Sequence, residues 1–183
     1  MKSRPPDRRT QRTREALRGA FVRLVLERGY ESFCVTDITE AANVGRSTFY
    51  QHYSGKLAML QDSIQTQSRH LAAIVGADPS PEALVPLLLH FWEQRRRNRP
   101  FLSDPIRGVW ARVTAKLIEP RLAKLVRDSR PLIPLPLAAL QIAEAQLGLI
   151  IGWLTGRSAV KPIDIAKALA RTTHALTTAL LER

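Results

Sequence analysis

Residues 36–56 constrain this chain more than any other segment, because they predict two short helices joined by a tight turn. The first helix has an apolar stripe formed by Ile38, Ala41 and Ala42. The turn follows at Asn43–Val44–Gly45, since Asn and Gly tolerate left-handed backbone that other residues resist. The spacing therefore predicts a helix-turn-helix.

The second helix, expected at about residues 46–53, carries one large apolar residue, Phe49. Hydrogen-bonding side chains surround it, which are Arg46, Ser47, Thr48, Tyr50, Gln51 and His52. A core helix would be less polar, and a solvated helix rarely clusters so many short donors. Base edges and phosphates are recognised by hydrogen bonds, so this composition is typical of a helix that enters the major groove of DNA.

The segment resembles the DNA-binding region of the TetR family of bacterial repressors over roughly residues 10–62. The spacing of Tyr50, His52 and Lys56 is its most specific part. The rest of the match is Val35, Thr36, Ile38, Ala41, Ala42, Val44, Ser47, Thr48, Phe49, Tyr53, Leu57 and Leu60. Two residues depart from the family pattern: Asn43 replaces a Gly in the turn, and Gly45 replaces a Ser cap. Asn accepts left-handed backbone and Gly is an acceptable cap, so the same fold is expected, with a looser first turn in the second helix.

The resemblance implies an all-α fold. It comprises an N-terminal three-helix helix-turn-helix DNA-binding domain and a C-terminal helical ligand-binding and dimerisation domain. The residues expected to contact DNA phosphate are Thr36, Tyr50, His52 and Lys56. The base-reading surface is expected at Arg46, Ser47, Thr48 and Gln51, since Arg suits guanine and Gln suits adenine.

The formal net charge of +12 favours an anionic partner, and nucleic acid is the first candidate. Charge alone does not locate the DNA surface, because residues 1–56 hold 11 basic and 6 acidic residues and the excess continues beyond them. The single cysteine, Cys34, excludes an internal disulfide and fits a reducing cytoplasm. The longest apolar stretch, at about residues 145–154, is expected to be too short to span a bilayer, and no signal peptide is recognisable.

Three segments are expected along the chain. Residues 1–9 are basic and contain two prolines, which predicts a flexible arm that either touches DNA or has no role. Residues 10–56 form the predicted DNA-binding domain, and residues 57–183 the helical ligand-binding and dimerisation domain. Prolines divide the second domain into helices, two of them at residues 137–155 and 162–181. An earlier helix is expected to open at Ser80–Pro81–Glu82, to be shortened or kinked at its start by Pro86, and to stop at Pro100.

A row of glycines, Gly148, Gly152 and Gly156, recurs every four residues on one face of the helix expected at residues 137–155. Each Gly costs a helix about 1 kcal/mol relative to Ala, so a close neighbour is the expected reason for them. Since the resemblance implies a dimer bundle built from the last two helices, we expect the row at a dimer interface. Two alternatives are space for a ligand, and a Gly156 that only ends the helix.

The second predicted domain also holds candidate ligand-binding residues, because aromatic side chains there lie near polar ones on apolar stripes. These candidates are His90, Glu93, Phe101, Trp110, Glu144 and Trp153. Aromatic residues at helical spacing belong to the hydrophobic core more often than to a ligand site. A basic run at residues 95–99 is either a solvated helix end or an additional attraction for phosphate.

These patterns predict a cytoplasmic, homodimeric TetR-like repressor that binds a double-stranded, pseudo-palindromic DNA operator and is released by a small-molecule effector. Enzymatic activity, a cofactor, a metal site and a membrane partner are not expected, since no Walker loop, GxGxxG, HExxH or second cysteine occurs. The alternatives are an adaptor that has lost DNA binding, a DNA-binding protein without an effector, and an activator.

Overall fold

The computed structural model describes residues 8–76, 80–126, 131–156 and 159–181. Within those ranges the chain is helical and contains no strand, which confirms the all-α prediction. The α-helices are α1 (Arg8–Arg28), α2 (Val35–Ala42), α3 (Arg46–His52), α4 (Lys56–Ala73), α5 (Val85–Glu93), α6 (Ile106–Leu125), α7 (Leu135–Thr155) and α8 (Pro162–Leu181). Short 3-10 helices lie at Tyr30–Ser32, Pro81–Leu84 and Arg99–Leu102.

Backbone contacts divide the chain into two units, Met1–Ser63 and Ile64–Arg183. The division falls within α4, later than the boundary at residue 56 expected from the sequence. Most of the expected arm, residues 1–7, lies outside the described residues, and Arg8 and Arg9 already belong to α1.

In the first unit, α1 packs on α2, and α2 packs on α3. The core is built from fully buried side chains of all four helices of this unit, which are Leu17, Phe21, Ile38, Phe49, Met59 and Leu60. Burial of a large apolar side chain contributes about 1.5–3 kcal/mol to stability, so these few residues hold the short helices α2 and α3 in place. Phe49 is thus the anchor by which α3 is attached to the unit.

In the second unit, α7 packs along α6 and α8, and α5 packs on α8. Small residues allow close approach of the helices, since Ala138, Ala139 and Ala143 of α7 are fully buried in one cluster with Ile118 and Leu122 of α6. The predicted ends of α8, at residues 162 and 181, are confirmed, and α7 begins two residues earlier than expected. Its extra residues follow Pro134, and Pro136 lies in the first turn, where a missing N–H costs nothing.

Helix α5 is shorter than the sequence pattern indicated, at nine residues. Ser80 and Pro81 begin a 3-10 turn instead of α5, and Pro86 occupies the first turn of the α-helix itself. The helix ends at Glu93 instead of continuing to Pro100. Arg95 explains the early end in part, since its Nη1 donates to the Trp92 carbonyl at 2.7 Å and so satisfies one of the last carbonyls of the helix.

Helix α7 is also longer than the apolar stretch at about residues 145–154 on which the membrane expectation was based. It has 21 residues and a mean hydropathy of 1.5 over its most apolar window, which would allow it to cross a membrane by length and composition alone. Half of that window is buried inside the protein, and the core helix of a bundle meets the same criteria.

Candidate nucleic-acid interface

The turn between α2 and α3 has the left-handed backbone that the sequence predicts. Asn43 has φ 51° and ψ 48°, and its N–H donates to the Glu40 carbonyl at 3.0 Å. The Val44 N–H donates to the Thr39 carbonyl at 2.9 Å, which closes the end of α2. The left-handed position of the turn is therefore occupied by Asn43 and does not require a glycine, because the short polar side chain of Asn tolerates left-handed backbone.

Helix α3 begins after Gly45, whose extended backbone accepts the Phe49 N–H at 3.0 Å. Gly45 supplies no side-chain hydrogen bond to the first turn, as expected from the absence of a hydroxyl. Phe49 compensates by anchoring the helix: it is 0% exposed and lies edge-on to Tyr50, with ring centroids 5.3 Å apart, and tilted against Tyr53 at 5.8 Å.

The remaining side chains of α3 point largely outward. Arg46, Ser47, Tyr50 and Gln51 are exposed, and Thr48 and His52 are half-buried. The Arg46 guanidinium lies 5.9 Å from the centroid of the Tyr50 ring, and Tyr50 is 48% exposed. A cation–π contact of this kind limits the freedom of Arg46 before any ligand arrives. The six polar side chains predicted from the sequence therefore lie on one seven-residue helix, four of them open to solvent.

At the start of α2, an acidic residue occupies the helix terminus near Thr36. The Cys34 N–H donates to Asp37 Oδ2 at 2.7 Å, and Arg28 pairs with Asp37 Oδ1 at 3.4 Å. Hydrogen bonds from the Cys34 side chain and N–H, followed by the Arg28 charge, hold the pKa of Asp37 below its ordinary value. Thr36 itself is exposed, next to this negatively charged cap. The Cys34 N–H, two residues before Thr36, is already bonded to Asp37.

Lys56, at the start of α4, is held inside the unit by contacts that the sequence does not reveal. Its Nζ donates to the carbonyls of Tyr30 at 2.8 Å and Phe33 at 2.7 Å. It also lies 4.4 Å and 4.8 Å from the centroids of those two rings. Lys56 thus ties the start of α4 to the connection between α1 and α2. An ammonium group has three N–H donors, so one remains beyond the two carbonyls.

A second cluster that the sequence analysis missed lies between α1 and α4, around Asp62. Its carboxylate accepts hydrogen bonds from Arg14 at 3.1 Å, Arg18 at 3.0 Å and the Tyr53 hydroxyl at 2.9 Å. Burial raises the pKa of Tyr53, so its hydroxyl stays protonated and donates to Asp62. The cluster borders a cleft of about 170 Å³, whose other lining residues are Gln11 and Glu15. Tyr53 directly follows α3, so the cluster fixes the end of that helix.

The sequence model for bacterial regulatory proteins of the tetR family matches residues 19–62, which run from the second half of α1 through α2, the turn and α3 to the start of α4. The chain belongs to the TetR family.

Relatives of this TetR-family chain agree with the match. An uncharacterised HTH-type transcriptional regulator of Bacillus subtilis, YxbF, is 45% identical over 65 residues, or 35% of this chain. The matched segment spans only 17% of that relative's length. A TetR transcriptional regulator from Streptococcus agalactiae is 27% identical, with a TM-score of 0.57 and coverage of 92% of this chain and 97% of the other.

A TetR-family regulator from Streptomyces coelicolor is 19% identical, with a TM-score of 0.65 and coverage of 97% and 99% of the two chains. At this identity the likeness concerns the fold alone. It extends over the second unit, for which the sequence offered only length and helical pattern.

The candidate ligand-binding residues of this TetR-family protein differ widely in exposure. His90 and Glu93 are exposed, and Phe101 is half-buried. Glu144 is half-exposed and pairs with Arg107 at 2.6 Å. Only Trp110 and Trp153 are buried, each 4% exposed. Trp153 stacks on Trp92 with centroids 4.9 Å apart and donates its Nε1–H to the Val160 carbonyl at 3.0 Å.

The glycine row is open on the surface of the single chain. Gly148 and Gly152 are exposed, and a Cβ built on either would meet no atom within 4 Å. Gly156 follows the last residue of α7 as its cap, with extended backbone. Of the three glycines, two are therefore helical and one ends the helix. Among the described residues, no cluster of three or more His, Cys, Asp or Glu side chains is placed to hold a metal ion.

Proposed function

We propose that this TetR-family protein is a cytoplasmic transcriptional repressor that binds a pseudo-palindromic operator as a homodimer and is released by a small-molecule effector. One observation carries the proposal: α3 buries Phe49 and leaves Arg46, Ser47 and Gln51 exposed. A surface helix with one anchor and a polar outer face is suited to the major groove, which is wide enough for one α-helix.

The base-reading roles follow from side-chain geometry. The Arg46 guanidinium matches the O6 and N7 acceptors of guanine, and the Gln51 amide matches the N6 and N7 atoms of adenine. The hydroxyls of Ser47 and Thr48 can bond to either. All four residues lie on the short helix α3, so all four could contact the bases of one half-site.

The phosphate contacts are assigned to Thr36, Tyr50, His52 and Lys56. Along the chain, Tyr50 lies between Thr48 and Gln51, and the other three lie outside the base-reading residues. Tyr50 has an exposed ring in contact with Arg46, and its hydroxyl can donate to a phosphate oxygen. Lys56 would use its third N–H, and the two carbonyl bonds would hold the ammonium group in position. Thr36 would act through its hydroxyl, beside the Asp37 cap.

The homodimer would form through the exposed glycine face of α7, with α8. Two recognition helices enter successive major grooves only when they are about 34–36 Å apart. An effector that prefers another spacing lowers operator affinity by the difference in its binding free energy between the two states.

The test is an electrophoretic mobility shift with DNA from upstream of the protein's own coding region. We expect a retarded complex that survives excess random DNA, and a footprint of two half-sites about 10 base pairs apart, centre to centre. A double variant, Arg46→Ala with Gln51→Ala, is the matched control, since both residues are exposed and the fold should persist. Equal affinity for upstream and random DNA would favour an adaptor that has lost operator recognition. A reporter gene downstream of the site would distinguish repression from activation.

A further inference from the structure

The second unit buries a layer of hydrogen-bonding side chains in the middle of its apolar bundle. One residue comes from each of four helices, α4, α6, α7 and α8: Ser68, Thr114, Gln146 and Thr173. None of the four is more than 2% exposed. We call these residues the polar layer. Buried polar groups reduce stability unless they are paired, so the partner of each atom has to be identified.

Most atoms of the polar layer are paired with one another or with the backbone. Thr114 Oγ1 donates to Ser68 Oγ at 3.1 Å. Gln146 Nε2 donates to the Leu71 carbonyl at 3.2 Å and to Thr173 Oγ1 at 3.0 Å. The Leu71 carbonyl only accepts, so the amide nitrogen of Gln146 has to face it, which fixes the orientation of the amide.

Two buried atoms differ from the rest. Gln146 Oε1, and Nε1 of Trp110, have no hydrogen-bond partner among the residues that the structure describes. Trp110 lies one turn before Thr114 on α6 and packs edge-on against Phe91, with centroids 5.8 Å apart. The oxygen requires a donor and the indole requires an acceptor. Proteins seldom keep such atoms unpaired, because desolvation is not compensated.

No buried ionisable side chain in the described part of the chain is available to pair with a charged partner of these two atoms. The buried polar side chains in the described part of the chain are Thr39, Ser68, Thr114, Gln146, Thr173 and Thr177, none of them ionisable. A carboxylate or an ammonium group would lose its hydration at the polar layer without meeting an opposite charge. A neutral molecule with an apolar body would have no such penalty.

We propose that the effector is an uncharged molecule with a hydrogen-bond donor at one end and an acceptor at the other, joined by an apolar body. The donor binds Gln146 Oε1, and the acceptor takes the Trp110 indole N–H. The term effector rests on the proposed function, whereas binding at the polar layer does not depend on DNA.

The first experiment measures binding of defined probes to the full chain. The neutral probes are 4-hydroxyacetophenone and 4-(4-hydroxyphenyl)butan-2-one, each with a hydroxyl donor and a ketone acceptor. The matched anions are 4-hydroxybenzoate and 3-(4-hydroxyphenyl)propanoate. We expect a neutral probe to shift the Trp110 indole N–H resonance, which is assigned by its loss in Trp110→Phe. The anions should leave that resonance in place.

The second experiment uses two tryptophans with the same 4% exposure but different indole partners. Trp110→Phe removes the unpaired N–H, and Trp153→Phe removes one that is bonded to the Val160 carbonyl. Although the sequence pattern made Trp153 a candidate, its indole N–H already has a partner, so the proposed site does not include it. Probe affinity, measured by titration calorimetry, should fall about tenfold in Trp110→Phe and remain unchanged in Trp153→Phe. Gln146→Leu should also lower the affinity about tenfold, since it removes the acceptor at the other end.

Three results would overturn the inference. The first is no shift of the Trp110 resonance with either neutral probe, as expected if ordered water already pairs both atoms. The second is equal binding of the anions, and the third is equal loss of affinity in Trp153→Phe. Operator binding is scored separately by mobility shift. A protein that binds probes without binding upstream DNA contradicts the proposed function alone, and one that binds DNA without either probe contradicts this inference alone.

Discussion

The two units use hydrogen-bonding side chains in opposite ways. The first unit exposes them: α3 has a buried Phe49 and an outer surface that includes Arg46 and Gln51. The second unit buries them, with Gln146 and its neighbours in the polar layer inside an apolar bundle. On the surface, water satisfies each polar atom until DNA replaces it, whereas in the interior every polar atom needs a fixed partner.

This difference indicates how each unit would recognise its ligand. Exposed side chains suit a charged, extended partner that supplies many acceptors at once. Buried ones suit a small neutral molecule that completes an unfinished set of hydrogen bonds. Single substitutions in the two units can test this contrast.

Phe49 and Tyr50 are adjacent aromatic residues, but Phe49 is buried (0% exposed) and Tyr50 is open to solvent (48% exposed). Phe49→Ala should destabilise the first unit by about 3–5 kcal/mol, because it removes a large buried side chain and leaves a cavity. Tyr50→Ala should cost less than about 1 kcal/mol of stability and weaken DNA binding instead. Urea unfolding and DNA titration of both variants would check this, and a Tyr50→Ala protein as unstable as Phe49→Ala would remove the distinction.

Gly152 tests whether the outer surface of the second unit is an interface. Gly152→Leu should weaken the dimer, since overpacking costs about 1–3 kcal/mol and a symmetric interface contains the change twice. The isolated subunit should not suffer, because nothing lies within 4 Å of a Cβ at this position and Leu is the better helix former. Sedimentation at low micromolar concentration would show dissociation, together with lost operator affinity.

Gly19 provides the control for that experiment, being exposed in α1 with equally open space at its Cβ. Gly19→Leu should leave the oligomeric state unchanged. If the Gly152→Leu protein stays fully dimeric and keeps operator binding, the glycine row lies outside the dimer interface. A ligand site would then be the alternative role of the row.

Lys56 differs from the exposed polar side chains of the first unit, because its ammonium group donates to two backbone carbonyls inside that unit. Lys56→Ala should reduce stability by about 1.5–3 kcal/mol, the range for hydrogen bonds to a charged group. It should also weaken binding to all DNA sequences and lower the salt slope by about 0.9, as expected for one lost phosphate contact. Titrations at several salt concentrations measure the slope. A stability loss with an unchanged slope would restrict Lys56 to its internal role.

Two glutamines complete the contrast, Gln51 exposed on α3 and Gln146 buried on α7. Gln51→Ala should leave unfolding unchanged and relax preference at one base position per half-site, costing about 1–3 kcal/mol there. Gln146→Ala should lower stability by about 1–3 kcal/mol, because the hydroxyl of Thr173 loses its partner. Binding-site selection and thermal unfolding give the two readouts. Unchanged preference at every position would count against Gln51 as a base-reading residue.

Local features of the fold were predictable because their causes lie within a few residues. The left-handed turn at Asn43, the Gly45 cap and the single anchor Phe49 were all expected, and the structure has them. The span of α5 was predicted only in part. Pro86 shortens the start of the helix, as expected, but the helix ends at Glu93 and not at Pro100. Arg95 contributes to the early end through its hydrogen bond to the Trp92 carbonyl, which the proline pattern does not indicate.

The all-α fold and the helix-turn-helix follow from the amino-acid sequence alone, because helical periodicity, turn residues and capping act between neighbours in the chain. Which distant groups meet depends on how the helices pack in three dimensions. Lys56 reaches the carbonyls of Tyr30 and Phe33, Asp62 joins Arg14 and Arg18, and the Gln146 amide bonds to Leu71 across 75 residues. Such partners depend on how helices pack, and packing is set by the shape of the whole core, which no local pattern records.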